Sequence, residues 1–314
     1  MSTRNPRNNA ALAFTLLAVA GFLSISALVR TASGAEIVVS ETQQLHHGKV
    51  LYSTYCVGCH GEAGDGKGPA AAMLIVKPRD FTSGLYKFRS TPNGQLPTDA
   101  DLMRTITKGV NRTSMPEWSL LPERERMALV QYVKSFYPGF KEVGPGHPIY
   151  IPAPPATLGS PESIARGREL YEMLECGRCH GPKGLGDGPS AATLAPDSWG
   201  NPQKPFNFTK GALKSGAAPE DVYRTFMTGL NGTAMPSYAD VFDEPDGENV
   251  KPGDAWNLVS YVLSLRTSDK PGVQVASQEG AAVNAAYRGD LARAGYTAPA
   301  PEPAQAGGNK ESKP

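Results

Sequence analysis

All four cysteines of this 314-residue chain fall in one motif, and the motif occurs twice: Cys56-Val57-Gly58-Cys59-His60 and Cys176-Gly177-Arg178-Cys179-His180. C-x-x-C-H is the attachment signature of c-type haem. Two thiols on one helical turn reach the ring edge and add to the vinyl groups as thioethers. The next histidine turns an imidazole nitrogen toward the iron. Other readings explain less. Two disulfides in an exported protein leave the histidines unexplained. A zinc ribbon places its pairs about 15–20 residues apart, whereas Cys56 and Cys176 are 120 apart. A thioredoxin-like pair needs a βαβ pattern that the sequence does not display.

The motifs belong to a longer repeat. Shifted by 120 positions, Gly61, Gly64, Gly66, Gly68 and Pro69 fall on Gly181, Gly184, Gly186, Gly188 and Pro189. Asp101, Arg104, Thr105, Gly109, Asn111 and Thr113 fall on Asp221, Arg224, Thr225, Gly229, Asn231 and Thr233, and Met115-Pro116 on Met235-Pro236. The register slips elsewhere. Gly48 matches Gly167 at 119, and Phe81-Thr82 matches Phe208-Thr209 at 127. Such slips are loop insertions around a duplicated frame.

Helix signals surround each motif. In the first repeat they predict helices from about Glu41 to Tyr55, from a Thr98 or Asp99 cap to Lys108, and from Pro122 with Met127, Val130, Val133 and Phe136 at helical spacing. In the second they predict helices over 161–175 with a Ser160 cap, 219–228 and 254–265. Strand signals are sparse, so the expected fold is all-α: two small, loop-rich domains, each wrapped around a haem. The expected boundaries are 42–140 for domain one, 141–160 for a Pro-rich, semi-rigid linker outside either core, and 161–268 for domain two. A mostly disordered tail over 269–314, with a short helix around 281–294, completes the expectation.

This pattern resembles the class I cytochrome c family in diheme form, over about residues 42–268. The resemblance implies two covalent haem c groups, attached through Cys56, Cys59, Cys176 and Cys179. It implies His60 and His180 as proximal iron ligands and Met115 and Met235 as distal ones. The competing sixth ligand is a histidine, but His46 and His47 have no counterpart in repeat two and read as surface residues; His147 is the only other spare. Arg79, Arg89 and Trp118 are candidates to neutralise haem propionates, weighed against a role as solvated loop residues. Residues 78–91 are also similar to cytochrome subunits of periplasmic respiratory oxidoreductases. The function implied is single-electron transfer between redox protein partners, without catalysis. The alternative is a diheme peroxidase-type enzyme, which needs two unlike haems.

The N-terminus reads as an address. Arg4 and Arg7 precede an apolar run from Ala10 to Val29, followed by Arg30 and small residues to Ala35. This describes a signal peptide cleaved after Ala35 or an uncleaved anchor, and twenty apolar residues match a bilayer core of about 30 Å. The run length favours the anchor. Either way, residues 36–314 are expected on the periplasmic side of a bacterial inner membrane. The formal net charge of +1 argues against a nucleic-acid partner. It averages two unlike halves: 42–140 carries 12 basic and 8 acidic side chains, and 160–268 carries 10 and 14. The contrast suggests separate charged partners, or domains that attract each other.

Overall fold

The computed structural model describes residues 40–216 and 218–266. The candidate signal or anchor and the tail with its expected short helix lie outside them. The chain divides into two units, residues 1–43 and 44–314. Of the first, only Ser40 to Gln43 are described. There Ser40 Oγ accepts from Gln43 N and Gln43 Oε1 accepts from Ser40 N, a capping box at a helix start.

Among the described residues there are ten α-helices, two 3-10 turns and no strand. Domain one has α1 (Glu41–Tyr55), α2 (Val57–His60), α3 (Asp99–Lys108), α4 (Glu123–Lys134) and α5 (Gly139–Glu142). Domain two has α6 (Pro161–Met173), α7 (Gly177–His180), α8 (Pro219–Thr228), α9 (Ala239–Asp243) and α10 (Asp254–Ser264). The helix ends follow the local signals. Thr98 Oγ1 accepts from Asp101 N while Asp101 returns a bond to Thr98 N, closing a capping box on α3. Ser160 caps α6 and Pro161 occupies its first turn. On α8 Ala218 has no side-chain oxygen, so only the return bond to Asp221 forms.

Each domain packs its first long helix against its last. Gly48 and Gly167 are the contact points. A Cβ on Gly48 would lie 2.2 Å from the Ala128 carbonyl oxygen, and one on Gly167 would lie 1.9 Å from that of Asn257. The apolar faces of these helices build two separate cores. In domain one Tyr52, Leu102, Leu129, Val130 and Val133 are buried together. In domain two Leu170, Tyr171, Phe226, Met227, Trp256 and Val259 do the same.

The Pro-rich segment differs from the expected spacer. Ile149, Ile151 and Leu158 pack against the domain-two core. Ile149 N donates to Ser90 O at 2.7 Å, Gly146 N to Leu96 O, and Gly159 N to Ser260 Oγ. Proline supplies the extended backbone, but the apolar residues between the prolines strap it to both domains.

The two domains meet through matching elements. Asn111 Nδ2 donates to Leu213 O, while Asn231 Oδ1 accepts from Gly94 N. The repeated asparagine of each domain thus bonds a loop of the other, as in a two-fold contact between copies. The buried pairs Asp101–Arg104 (3.0 Å) and Asp221–Arg224 (2.7 Å) come together here. Burial lowers the Arg104 guanidinium, and the like charge of Arg224 adds to this. Arg89, only 1% exposed, locks the seam. It donates to Thr228 O (2.7 Å) and Gly229 O (3.3 Å) of domain two and to Pro92 O and Asn93 Oδ1 of its own loop.

Candidate haem sites

Each cysteine motif begins where a long helix ends. In domain one Cys56 N donates to Tyr52 O, and His60 N to Cys56 O at 2.9 Å, so both thiols and the histidine share one turn. In domain two Cys176 N donates to Tyr171 O, and His180 N to Cys176 O at 2.9 Å. All four thiols are unpaired and partly buried. Burial pushes Cys56 up to about 11, with Cys59 adding to it, and pushes Cys176 up to about 11. Immediately after each motif a tyrosine hydroxyl secures the turn: Tyr52 Oη donates to Gly61 O (2.8 Å) and Tyr171 Oη to Gly181 O (2.7 Å).

The glycine run brings the chain back over the motif. A Cβ on Gly68 would lie 2.5 Å from the carbonyl oxygens of Val57 and Gly58, and one on Gly188 would lie 2.3 Å from that of Arg178. Only glycine permits that approach.

The histidines are oriented identically. His60 Nδ1 bonds Arg79 O at 3.0 Å, and His180 Nδ1 bonds Phe206 O at 3.0 Å. With Nδ1 as the donor, Nε2 is the unprotonated nitrogen, on the far edge of the ring from that carbonyl. This is the usual arrangement of a metal-binding histidine. Each ring also stacks on a phenylalanine, His60 on Phe81 (4.5 Å between centroids) and His180 on Phe208 (4.4 Å). Burial lowers both histidines below the usual imidazole range, which favours the neutral, ligating form.

Met115 and Met235 sit in matching turns. Thr113 Oγ1 donates to Val110 O and accepts from Met115 N; Thr233 Oγ1 does the same with Leu230 O and Met235 N. The methionine carbonyls accept from Val110 N and Leu230 N, both at 3.1 Å. Trp118 N donates to Ile106 O and Tyr238 N to Phe226 O, tying each turn back to α3 or α8. These bonds account for the repeated threonine two residues before each methionine. Met235 and Cys176 both lie against the domain-two core.

These donor sets fit haem c: two thiols on one turn, an imidazole with Nε2 available, and a thioether in a fixed turn. They fit zinc poorly, since among the described residues no three His, Cys, Asp or Glu side chains cluster as metal ligands. His46, His47 and His147 are exposed.

The propionate candidates have other neighbours in this structure. Arg89 serves the domain seam. Trp118 packs on Tyr55 with ring centroids 4.9 Å apart. Arg79 lies over the Trp199 ring of domain two, 3.6 Å from its centroid; burial pulls its guanidinium down to about 10, against the opposing pull of Asp197. Three kinds of residue at these sites escaped sequence reasoning. Phe81/Phe208 and Thr113/Thr233 recur in the repeat, and recurrence was the available signal. The histidine-binding carbonyls belong to Arg79 and Phe206, whose side chains share nothing.

Comparison with known proteins agrees with this frame. Residues 43–133 match the family model described as cytochrome c oxidase, cbb3-type, subunit III, and residues 164–266 match the model described as cytochrome c. A solved chain of the Kuenenia stuttgartiensis reducing HAO-like protein complex Kustc0457/Kustc0458 is 44% identical with a TM-score of 0.64, over 70% of this chain and 96% of that one. No curated protein matches. The chain belongs to the c-type cytochromes, and it carries two class I domains in tandem. Cytochrome c domains of this kind serve electron transfer. No helix among the described residues is long and apolar enough to cross a membrane; the candidate anchor over residues 10–29 falls outside them.

Proposed function

We propose that this protein is a diheme electron carrier that passes single electrons between two redox protein partners, with both irons ligated by histidine and methionine. The observation that carries the proposal is the matched pair of frames: imidazole Nδ1 bonded to a carbonyl at 3.0 Å in both domains, and a methionine turn with the same hydroxyl bonds in both. Bound haem iron supplies one-electron chemistry, and a methionine ligand raises its potential relative to a second histidine.

The residues have separate tasks. Cys56, Cys59, Cys176 and Cys179 hold the cofactors covalently. The carbonyls of Arg79 and Phe206 fix the ring planes of His60 and His180 and raise their basicity. Thr113 and Thr233 hold the methionine turns rigid, so that little rearrangement accompanies a change of charge at the site. With Met115 and Met235 bound, neither iron would have an open position for peroxide, and the likeness of the two frames speaks against the peroxidase alternative.

The Kuenenia neighbour belongs to a protein complex, which supports docking with a protein electron donor or acceptor. The N-terminal address supports a place on the periplasmic side of a bacterial inner membrane, anchored or released. The mass of the denatured protein should exceed the polypeptide by two haems. Met115→Ala and Met235→Ala should each abolish about half of the ferric thioether-to-iron absorption band, a mark of His/Met ligation. If both variants keep the whole band, the methionine assignment is wrong.

A further inference from the structure

The two histidine sites are alike in hydrogen bonding and unlike in charge. In domain two the carbonyl that orients His180 belongs to Phe206, an apolar residue. In domain one the carbonyl that orients His60 belongs to Arg79, so a guanidinium is tethered to the residue that touches the imidazole.

That guanidinium is held in place by the other domain. It lies 3.6 Å from the centre of the Trp199 ring, a cation–π contact. Trp199 is itself clamped: its N–H donates to Asp197 Oδ1 and its indole Nε1 to Ser83 Oγ. The Asp197 and Asp80 carboxylates also act on the Arg79 guanidinium, and each has a second partner. Lys87 pairs with Asp197 at 3.1 Å. Asp80 turns its carboxylate to the Thr82 N–H and hydroxyl. Site two has nearby cations as well: Arg178 inside its cysteine motif, exposed and paired with Glu175 at 3.0 Å, and Arg112 of domain one, 5.7 Å from the Phe206 ring centre. Arg112 is exposed too, so both fields are weakened by water and salt, whereas Arg79 is shielded by the indole.

A fixed positive charge stabilises the reduced iron, which carries one positive charge fewer, over the oxidised iron. We propose that Arg79, held beside His60 by Trp199 of domain two, makes the domain-one haem the higher-potential site of the pair. Trp199 is then a positioning residue acting across the domain seam. Electrons reaching either haem collect at domain one, which makes domain two the entry side and domain one the exit side. This rests on the diheme His/Met reading above.

The test is redox potentiometry of the full-length holoprotein, with far-UV circular dichroism confirming the fold of each variant. Met115→His and Met235→His assign the two potentials, since each lowers the potential of its own site. The higher potential should belong to domain one. Arg79→Gln should lower that potential alone, and Arg79→Lys should keep most of it. Trp199→Leu keeps the arginine but removes the ring face, and should also lower the domain-one potential alone. If Arg79→Gln fails to fold, Arg79→Met reports the same loss of charge.

A higher potential at domain two overturns the proposal. So does an Arg79→Gln shift that is absent or equal at both sites. A wild-type domain-one potential in Trp199→Leu overturns the role of the domain seam. If that variant fails to fold, Trp199→Phe, which keeps an aromatic face, should hold the domain-one potential near wild type, and a drop as large as that of Arg79→Gln overturns that role. A denatured mass with fewer than two haems would instead end the diheme reading itself.

Discussion

Gly167→Ala places one methyl group where the structure has no room. Its Cβ would lie 1.9 Å from the Asn257 carbonyl oxygen, 2.6 Å from its carbon and 2.8 Å from Tyr261 Cβ. An ordinary carbon-to-oxygen contact begins near about 3.3 Å, so α6 and α10 must separate by more than about 1 Å. Neither neighbour can rotate away, because the nearest atoms are main chain. Overpacking of this kind costs about 3 kcal/mol. The separation also strains the bonds from Ser163 Oγ to Asn257 Oδ1 (2.7 Å) and between the Ser163 and Ser260 hydroxyls (2.8 Å), each worth about 1 kcal/mol. Alanine returns about 1 kcal/mol through its helix propensity. The net expectation is a loss of about 4 kcal/mol. For a domain of this size that lowers the melting temperature by more than about 10 °C. Thermal unfolding of the holoprotein, followed by far-UV circular dichroism, reads it. A midpoint within about 2 °C of wild type would refute the reasoning, because it would mean that the helices do not cross at Gly167.

Two further outcomes follow from the buried charges. Arg89→Met removes four donated bonds and leaves the Thr228 carbonyl at the domain seam without its donor, while the Gly229 carbonyl keeps only the Thr228 hydroxyl at 3.2 Å. A buried group left unsatisfied costs about 1–3 kcal/mol, and calorimetry should show the two domains unfolding as separate transitions. Asp101 is fully buried, which pushes its carboxyl up. Arg104 and the bonds from Ser90 and Thr98 outweigh burial and hold it below the usual range. Its stabilising contribution is therefore complete above the unfolded value of about 3.9 and is lost as the pH falls through the depressed folded value. Urea midpoints measured from about pH 6 down to about pH 3 should fall more steeply for wild type than for Asp101→Asn.

Local chemistry was well written into the chain. The cysteine motif, the caps at Thr98 and Ser160, and the paired Gly48 and Gly167 all involve partners within a few residues or a repeat that doubles the signal. What escaped sequence reading lies between unlike loops. Arg89 looks like any loop arginine; its domain-two acceptors are main-chain carbonyls 139 and 140 residues away, and a carbonyl has no residue type. Trp199 stands in a stretch where the repeat loses register, so nothing marks it as the cover of Arg79. Asn111 and Asn231 did recur, but recurrence does not tell a residue that shapes its own turn from one that bonds the neighbouring domain. In the segment over 141–160 the prolines dictate an extended backbone, and the isoleucines between them decide its place.

The opposite charges of the two domains suggest that they are drawn together electrostatically, yet their contact is built otherwise. An ion pair between the Lys87 and Asp197 side chains joins the domains. Other cross-domain bonds use neutral acceptors: carbonyls for Arg89, Asn111 and Arg112, the Asn231 amide oxygen for Gly94, and the Ser83 hydroxyl for Trp199. Net charge acts over a screening length of about 8 Å at physiological ionic strength, so it governs encounter more than cohesion. Directional bonds to buried carbonyls act only at contact and are little affected by salt. They also fix the angle at which one domain meets the other. That fixed angle keeps Arg79 under the Trp199 ring, and on the proposed diheme reading it preserves the difference between two otherwise matching sites.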